Sequence, residues 1–374
     1  MARTQILPTD LGAVKLWETE VSVEQKKKSY FNKMTGTEKM SYPVVRKTEL
    51  ESGPGDEVTM YLIAKMRGKP REGAEKIAGY EDKLNHFTDK MRIDKHRRAV
   101  NCGDIMDQKR VPFDIAEQVK ARISDYAAEV HDEQITMTLA GARGVGNEIQ
   151  HYPLGYAGFP NAFVAPDSGH LQYYDGTLVK NTIANTSKMS TLVIDSAKLK
   201  AQKMIGDIKS GNAAKMVPCA VDGGKHFVML TGAEGMFDLR REVGDAGWLT
   251  LQKQVAAAEG KKSVIFSGGA GLYNGVLIDE TETVVKFNDY GSGVNLQAMR
   301  SLFLGAHAAY VAYGTKGQTR GTRYELTESD LDHHEEEVVV MRLIAGYKKA
   351  QFNSMDFGVI AVDHYYTLAP GASI

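Results

Sequence analysis

Between residues 42 and 100 the chain sets alternating strand patterns around a long polar stretch, and this limits what it can fold into. Val58, Met60, Leu62, Ala64 and Met66 alternate with Thr59, Tyr61, Ile63 and Lys65. That period of two predicts a β-strand. Gly53-Pro54-Gly55-Asp56 is a turn signal before it, and Gly68-Lys69-Pro70-Arg71-Glu72-Gly73 interrupts regular structure after it. A second strand is expected from about Phe87 to Val100, with the polar, charged stretch Glu72 to Asn85 between the two. Together they make a long hairpin-like loop with little apolar surface of its own. Loops beyond about 12 to 15 residues without structure of their own are uncommon in compact domains and usually serve a function.

The clearest helix runs from Pro112 to Leu139. Ala116, Val119, Ile123, Tyr126, Ala127, Val130 and Met137 recur at three- and four-residue steps. Pro112 suits the first turn, Asp114 and Glu117 complement the positive end of the helix dipole, and Gly141 ends the helix. At about 1.5 Å per residue such a helix is about 40 Å long. Upstream, Leu11 to Met34 with Val14, Trp17 and Val21 is compatible with a helix, and Lys26-Lys27-Lys28 makes it a charged arm. A single short helix is marginal in water, so a neighbour orders such an arm.

Downstream, Tyr152 to Tyr174 reads as irregular loop and Met189 to Ile205 as a helix. Met216 to Val221 and His226 to Thr231 read as a hairpin turned at Asp222-Gly223-Gly224. Glu234 to Ala258 reads as a helix broken near Gly244 and Gly247. Val264 to Phe266, Gly275 to Ile278, Thr283 to Phe287, Val338 to Gly346 and Phe357 to Val362 read as strands. Arg300 to Ala312 is a buried helix or strand. The fold class is α+β, without regular strand–helix alternation and without an internal repeat.

A chain of 374 residues, 43% hydrophobic, holds enough apolar material for a sizeable core and two domains. Its 46 Lys and Arg nearly balance 47 Asp and Glu. A dedicated DNA-coating protein is plainly basic, because affinity for phosphate comes from neutralising it. The two cysteines, Cys102 and Cys219, give neither a disulfide framework nor metal-ligand spacing, which fits a reducing compartment. Met1 to Gly12 has no signal-peptide core, and no run reaches the roughly 18 to 20 apolar residues of a membrane span.

No string carries a catalytic motif. His333-His334-Glu335-Glu336-Glu337 could seed a metal-dependent or nucleotide-using enzyme, but adjacent residues diverge on a strand or helix, and the zincin pattern needs two histidines four apart. An exposed polar segment before a strand is the plainer reading. Gly141-Ala142-Arg143-Gly144-Val145-Gly146 and Gly268-Gly269-Ala270-Gly271 miss the dinucleotide spacing, with Asn147 and Asn274 where the third glycine falls. Gly260-Lys261-Lys262-Ser263 lacks the phosphate-loop spacing, so all three read as turns. Cys219 reads as a buried small hydrophobe and Ser267 lacks the nucleophile-elbow context. His131-Asp132-Glu133 reads as helix surface. Lys90, Arg92, Lys95, His96, Arg97 and Arg98 form a basic cluster that could meet nucleic acid. Spread over both faces of a strand, they read better as contacts to a neighbouring copy. No catalytic residue, metal or cofactor is expected.

Several segments, in order, resemble one family. Gly53-Pro54-Gly55-Asp56-Glu57-Val58 with the alternating strand resembles the start of its extended loop, and Phe87-Thr88-Asp89-Lys90-Met91-Arg92-Ile93-Asp94 with Arg97-Arg98-Ala99-Val100 its return strand. Phe113 to Asp132 resembles its long helix. After Trp248 to Gln254, Val264-Ile265-Phe266-Ser267-Gly268-Gly269-Ala270-Gly271-Leu272-Tyr273-Asn274-Gly275-Val276 is similar to its F-x-G-x-x-G-x-Y-N-G-V string. Leu302-Phe303-Leu304-Gly305-Ala306-His307-Ala308-Ala309 resembles its LLLGAQA segment. Ile344-Ala345-Gly346-Tyr347-Lys348-Lys349-Ala350-Gln351-Phe352-Asn353 and Asp356-Phe357-Gly358-Val359-Ile360-Ala361-Val362-Asp363 resemble its C-terminal signature. The family is the major capsid proteins of phages like the podophage N-four, which carry the Hong Kong ninety-seven-type capsid fold. The likeness covers residues 10 to 368. It departs at the extended loop, where Ile77-Ala78-Gly79-Tyr80-Glu81-Asp82 stands in place of a LEGNEE-like string.

The resemblance implies an N-terminal arm over residues 1–41, an extended loop over 42–100 that lies outstretched over the adjacent subunit and has its apolar face buried only in the assembly, a peripheral domain of 101–190 and 325–374 with a long spine helix, and an axial domain of 191–324. It implies a subunit that assembles with copies of itself into the hexamers and pentamers of an icosahedral shell around packaged double-stranded DNA. The shell's inner face meets that DNA through phosphate charge alone. Portal and scaffold are implied partners, a decoration protein a further one, and no membrane is involved. Assembly takes place in the host bacterial cytoplasm. Arg67, Lys69, Arg71 and Glu72, with Lys90, Arg92, Arg97 and Arg98, are the candidate inter-subunit contacts.

Overall fold

The computed structural model of the chain describes residues 28–38, 40–51, 54–64, 66, 69–79, 81, 83–112, 114–204, 214–221, 224–242, 271–314, 324–331 and 336–368. The expected arm helix up to residue 27, the strand at 264–266 and the helical stretch beyond residue 242 lie outside the described residues.

A short helix α1 (Ile105–Arg110) leads into the long helix α2 (Ile115–Ala140). Pro112 does not open the first turn of α2. It lies in the bend before it, and Asp114 caps the helix by accepting from the Glu117 N–H at 3.2 Å. The Asp114 side chain satisfies an otherwise orphaned donor, which sets the start. Gly141 ends the helix at φ 70, its N–H donating to Met137 O at 2.8 Å. A Cβ there would stand 2.2 Å from the Val164 carbonyl oxygen, so glycine is required twice over.

Every residue from His131 to Ala140 is buried. A helix buried all round lies inside a core, and α2 packs against strands of two sheets. The six-stranded sheet runs β1 (Thr35–Thr37), β2 (Val44–Lys47), β13 (Ala309–Gly314), β15 (Glu336–Lys349) and β14 (Tyr324–Leu331), with β5 (Asp94–Asp104) along the other edge of β15. Alternation sends Val339, Met341, Leu343, Ala345 and Tyr347 into the cluster holding Ile123, Ala127, Ile135 and Leu139 of α2.

The eight-stranded sheet runs β6 (Leu171–Tyr173), β18 (Val359–Tyr365), β12 (Leu296–Leu304), β8 (Gly224–Thr231), β10 (Val276–Glu280) and β9 (Gly271–Tyr273), with β11 (Val285–Tyr290) on β12 and β7 (Cys219–Val221) on β8. β7 and β8 pair as the expected hairpin, and the open choice over 300–312 resolves as strand. Helix α3 (Thr191–Lys203) buries Val193, Ile194, Ala197 and Ala201 against Met229, Ile278, Phe303, Ile360 and Val362, beside α4 (Ala233–Arg240). Two further short strands, β16 (Gln351–Phe352) and β17 (Met355–Asp356), close a tight turn.

Buried polar groups tie α2 to these layers. Arg300 donates to both Asp363 oxygens at 2.7 Å and to Ala140 O at 2.8 Å, holding the end of α2 to β12 and β18. The expectation that His131-Asp132-Glu133 lies on the helix surface is overturned: all three are buried and each is satisfied. His131 meets the Tyr347 hydroxyl at 3.0 Å, and Glu133 accepts from the Gln150 N–H at 2.7 Å. Burying such groups costs free energy unless each is hydrogen-bonded. Cys219 is fully buried, and burial pushes its thiol up to about 12, as suits a small apolar residue. The 141–146 turn wraps the Arg143 side chain, which donates to the carbonyls of Gly144, Gly146, Ile149 and Tyr152.

Candidate assembly surface

β3 (Glu57–Ile63) and β4 (His86–Arg92) form an antiparallel hairpin, from Glu57 opposite Arg92 to Ile63 opposite His86. One face is covered by its own chain. Val58, Met60 and Met91 are at most 2% exposed and pack with Val45, Leu50, Tyr310, Ala350 and Phe352. The expectation that the whole apolar face waits for a second copy is therefore corrected: β2, β13 and β16 cover the base. Leu62 and Phe87 also pack against this cluster, whereas the opposite face and the tip have no such cover among the described residues. Tyr61, Ile63, Met66, Ile77 and Leu84 are each 60–70% exposed.

The single return strand expected over 87–100 is two strands with a corner at Ile93. Asn161 makes the corner, accepting from the Arg92 N–H and donating to Arg92 O, both at 2.9 Å. β5 then leaves the hairpin and joins β15. At the crossing a Cβ on Gly346 would stand 2.1 Å from Arg92 O. Neither partner is close to residue 93 in sequence, so nothing local announces the break.

The charged candidates fall into three groups. Lys69 pairs with Glu72 at 3.5 Å and Arg71 with Glu75 at 3.3 Å, all exposed on the hairpin tip. Lys90 and Arg92 both reach Glu57 across the hairpin, at 3.7 and 2.6 Å. The Arg92 guanidinium holds the Glu57 carboxyl below the usual carboxylate range. Arg98 lies over the Tyr126 ring of α2 at 4.3 Å, while Arg97, next to it on β5, points to the other side of the strand and is exposed. His96 is half-buried with its ring edge-on to Phe159, and burial lowers its pKa. Arg67 lies outside the described residues, as do His333, His334 and Glu335. Of that string Glu336 and Glu337 open β15, and Glu336 accepts from Asn101 at 2.8 Å. Among the described residues no three His, Cys, Asp or Glu are placed to hold a metal.

A second feature escaped sequence reasoning. A 3-10 turn (Tyr30–Met34) anchors the base of the N-terminal segment. Asp132 of α2 accepts from the Ser29 hydroxyl at 2.7 Å and from the N–H groups of Tyr30 and Phe31 at 2.8 and 3.3 Å. Asp279 of β10 accepts from the Tyr30 hydroxyl at 2.6 Å and Lys33 Nζ at 2.8 Å. Burial pushes the Asp132 carboxyl up to about 6, against the lowering effect of its three donors. The sequence offered no signal beyond a carboxylate within a helical period.

The surface thus consists of a half-covered hairpin, an anchored turn over residues 30–34 and a charged edge strand, with no catalytic group assembled among the described residues. A family model for phage capsid proteins matches residues 6–368. The chain belongs to the phage capsid protein family. The capsid of Ralstonia phage GP4 is 38% identical to this capsid protein, with both chains covered in full and a TM-score of 0.80. The capsid asymmetric unit of cyanophage Pam1, 18% identical, shares the fold at a TM-score of 0.72, over 91% of this chain and 93% of that one. The major capsid protein of Pseudomonas phage KPP25 is 24% identical over 376 residues, 93% of each chain. The capsid protein has the expected α+β Hong Kong ninety-seven-type fold, and capsid proteins act by associating with one another into a shell.

Proposed function

We propose that this chain is the major subunit of an icosahedral shell, forming hexamers and pentamers that close around packaged double-stranded phage DNA. The observation that carries the reading is the uncovered face and tip of the β3–β4 hairpin, where five large apolar side chains lie 60–70% exposed. Surface of that kind marks an interface, and head-to-tail contacts between identical copies close into rings by rotation. In this reading residues 1–41 form the N-terminal arm, 42–100 the extended loop, 101–190 with 325–374 the peripheral domain, and 191–324 the axial domain. The inter-subunit contacts include Arg67, Lys69, Arg71, Glu72, Lys90, Arg92, Arg97 and Arg98. Exposed ion pairs contribute only about 0 to 1 kcal/mol each, so they set register more than strength.

Portal and scaffold join the assembly, and a decoration protein covers it where the phage encodes one. With a net charge of −1 the chain meets DNA through local patches and phosphate charge, without base reading. No catalytic step belongs to this reading, and no described helix is long and apolar enough to cross a membrane. Assembly takes place in the host bacterial cytoplasm. Electron microscopy of the protein from producing cells tests the proposal. Closed shells built of six- and five-fold capsomers are expected, and a strictly monomeric species, even with scaffold supplied, overturns it.

A further inference from the structure

The face of the six-stranded sheet turned away from α2 holds an arrangement that the described residues of one chain leave unsatisfied. Val339, Met341, Leu343, Ala345 and Tyr347 of β15 pack with α2, so by alternation Val340, Arg342 and Ile344 point to the other side. β5 runs alongside with Ala99 opposite Val340, Arg97 opposite Arg342 and Lys95 opposite Ile344. Like charges directly opposite one another in a sheet repel. Both arginines are exposed, and among the described residues neither has an ion-pair partner. Glu325 of β14 stands opposite Arg342 on its far flank, but the two form no ion pair. Val340 and Ile344 are half-buried and make a shallow apolar floor beside the two guanidiniums.

Two opposed guanidiniums suit a carboxylate placed between them, since each offers a planar fork of donors. We propose that Arg97 and Arg342 receive the carboxylate of Glu81 from the hairpin tip of a second copy. The tip matches the floor in both respects. It carries exposed Ile77 and Leu84 for the apolar part. Of its described carboxylates, Glu72 and Glu75 are engaged by Lys69 and Arg71, whereas exposed Glu81 accepts, among the described residues, only from the Gly79 N–H at 3.0 Å. The inference rests on the shell reading and names the residues that receive the hairpin in it.

Two measurements test it. With Glu81→Cys and Arg97→Cys in one chain, mild oxidation of purified shells is expected to give a ladder of disulfide-linked multimers on non-reducing gels, absent from either single variant. Cys102 and Cys219 are buried and supply no competing thiol. Monomer bands alone, whether unlinked or closed within one chain, overturn the proposal. In the second, Arg97→Glu with Arg342→Glu is expected to cut the yield of shells at least tenfold without lowering the melting temperature of the free subunit. Adding Glu81→Arg is expected to restore the yield to within threefold of wild type. A double variant that assembles like wild type, or a triple variant as poor as the double, overturns the inference alone. Normal shells that retain less DNA identify the anion as genome phosphate and also overturn it. A wild type that forms no shells overturns the shell reading as well.

Discussion

Asp132 joins two parts of the molecule through one carboxylate, and its protonation gives that joint a signature. Its folded-state pKa, about 6, lies above the ordinary carboxylate value. Between about pH 4 and 6 the folded chain therefore holds a proton that the unfolded chain has released, so stability from this group is complete at the acid side and is lost as pH rises through about 6. Asp132→Asn cannot titrate. Thermal melts across pH 4 to 7 are expected to show wild type losing stability relative to the variant as pH rises, and parallel curves would contradict the assignment. Arg300 and Asp363 pose a different test, because both are buried and each satisfies the other. Asp363→Ala leaves the guanidinium without its counter-ion, holding only the Ala140 carbonyl, and the Tyr290 hydroxyl without its acceptor. A loss of about 3 to 5 kcal/mol is expected in denaturant unfolding, from an uncompensated buried charge. A loss under about 1 kcal/mol would mean that water replaces the carboxylate.

At the level of elements, the crossing of β4 over β15 depends on Gly346. A Cβ 2.1 Å from a backbone oxygen forces the strands apart, so Gly346→Ala is expected to cost about 1 to 3 kcal/mol. Hydrogen exchange should speed up at the Ile93 corner, and an unchanged melt with unchanged exchange would refute the contact. This corner also shows where sequence reading stops. Residues 87–100 have continuous strand character, and the break is imposed by Asn161 and Gly346 from elsewhere in the chain. The long helix was legible because its period is strong, and Gly141 marked its end. Its buried polar trio was not legible, because a helical period locates one apolar face and cannot reveal a second sheet behind the helix. The alternation in β3 gave the strand, but not that Val58 and Met60 find cover on β2 and β13 while Tyr61 and Ile63 do not. Charges in the candidate surface were visible as charges, whereas their pairing, such as Arg92 with Glu57, follows from hairpin register. Arg342 was passed over because it sits alone in the apolar run of β15.

For the whole molecule, the account separates what holds one copy together from what joins copies. The folded chain has its own cores around α2, under α3 and at the hairpin base. Beyond Leu62 and Phe87, which pack against the hairpin-base core, the described residues of the hairpin add no buried residue to these cores, so removing that part should leave the subunit folded. Leu62 pairs with Phe87, in the hydrogen-bonded set that the Ala64 N–H to Asn85 O bond at 2.9 Å marks, and an Asn-Gly turn joining Leu62 to Phe87 closes the shortened hairpin in the favoured two-residue geometry. The deciding measurement is sedimentation with electron microscopy of this shortened protein beside wild type. The account predicts a subunit that melts as wild type does and forms no closed shells, while the intact protein forms them. Shells of normal size and yield from the shortened protein would contradict it.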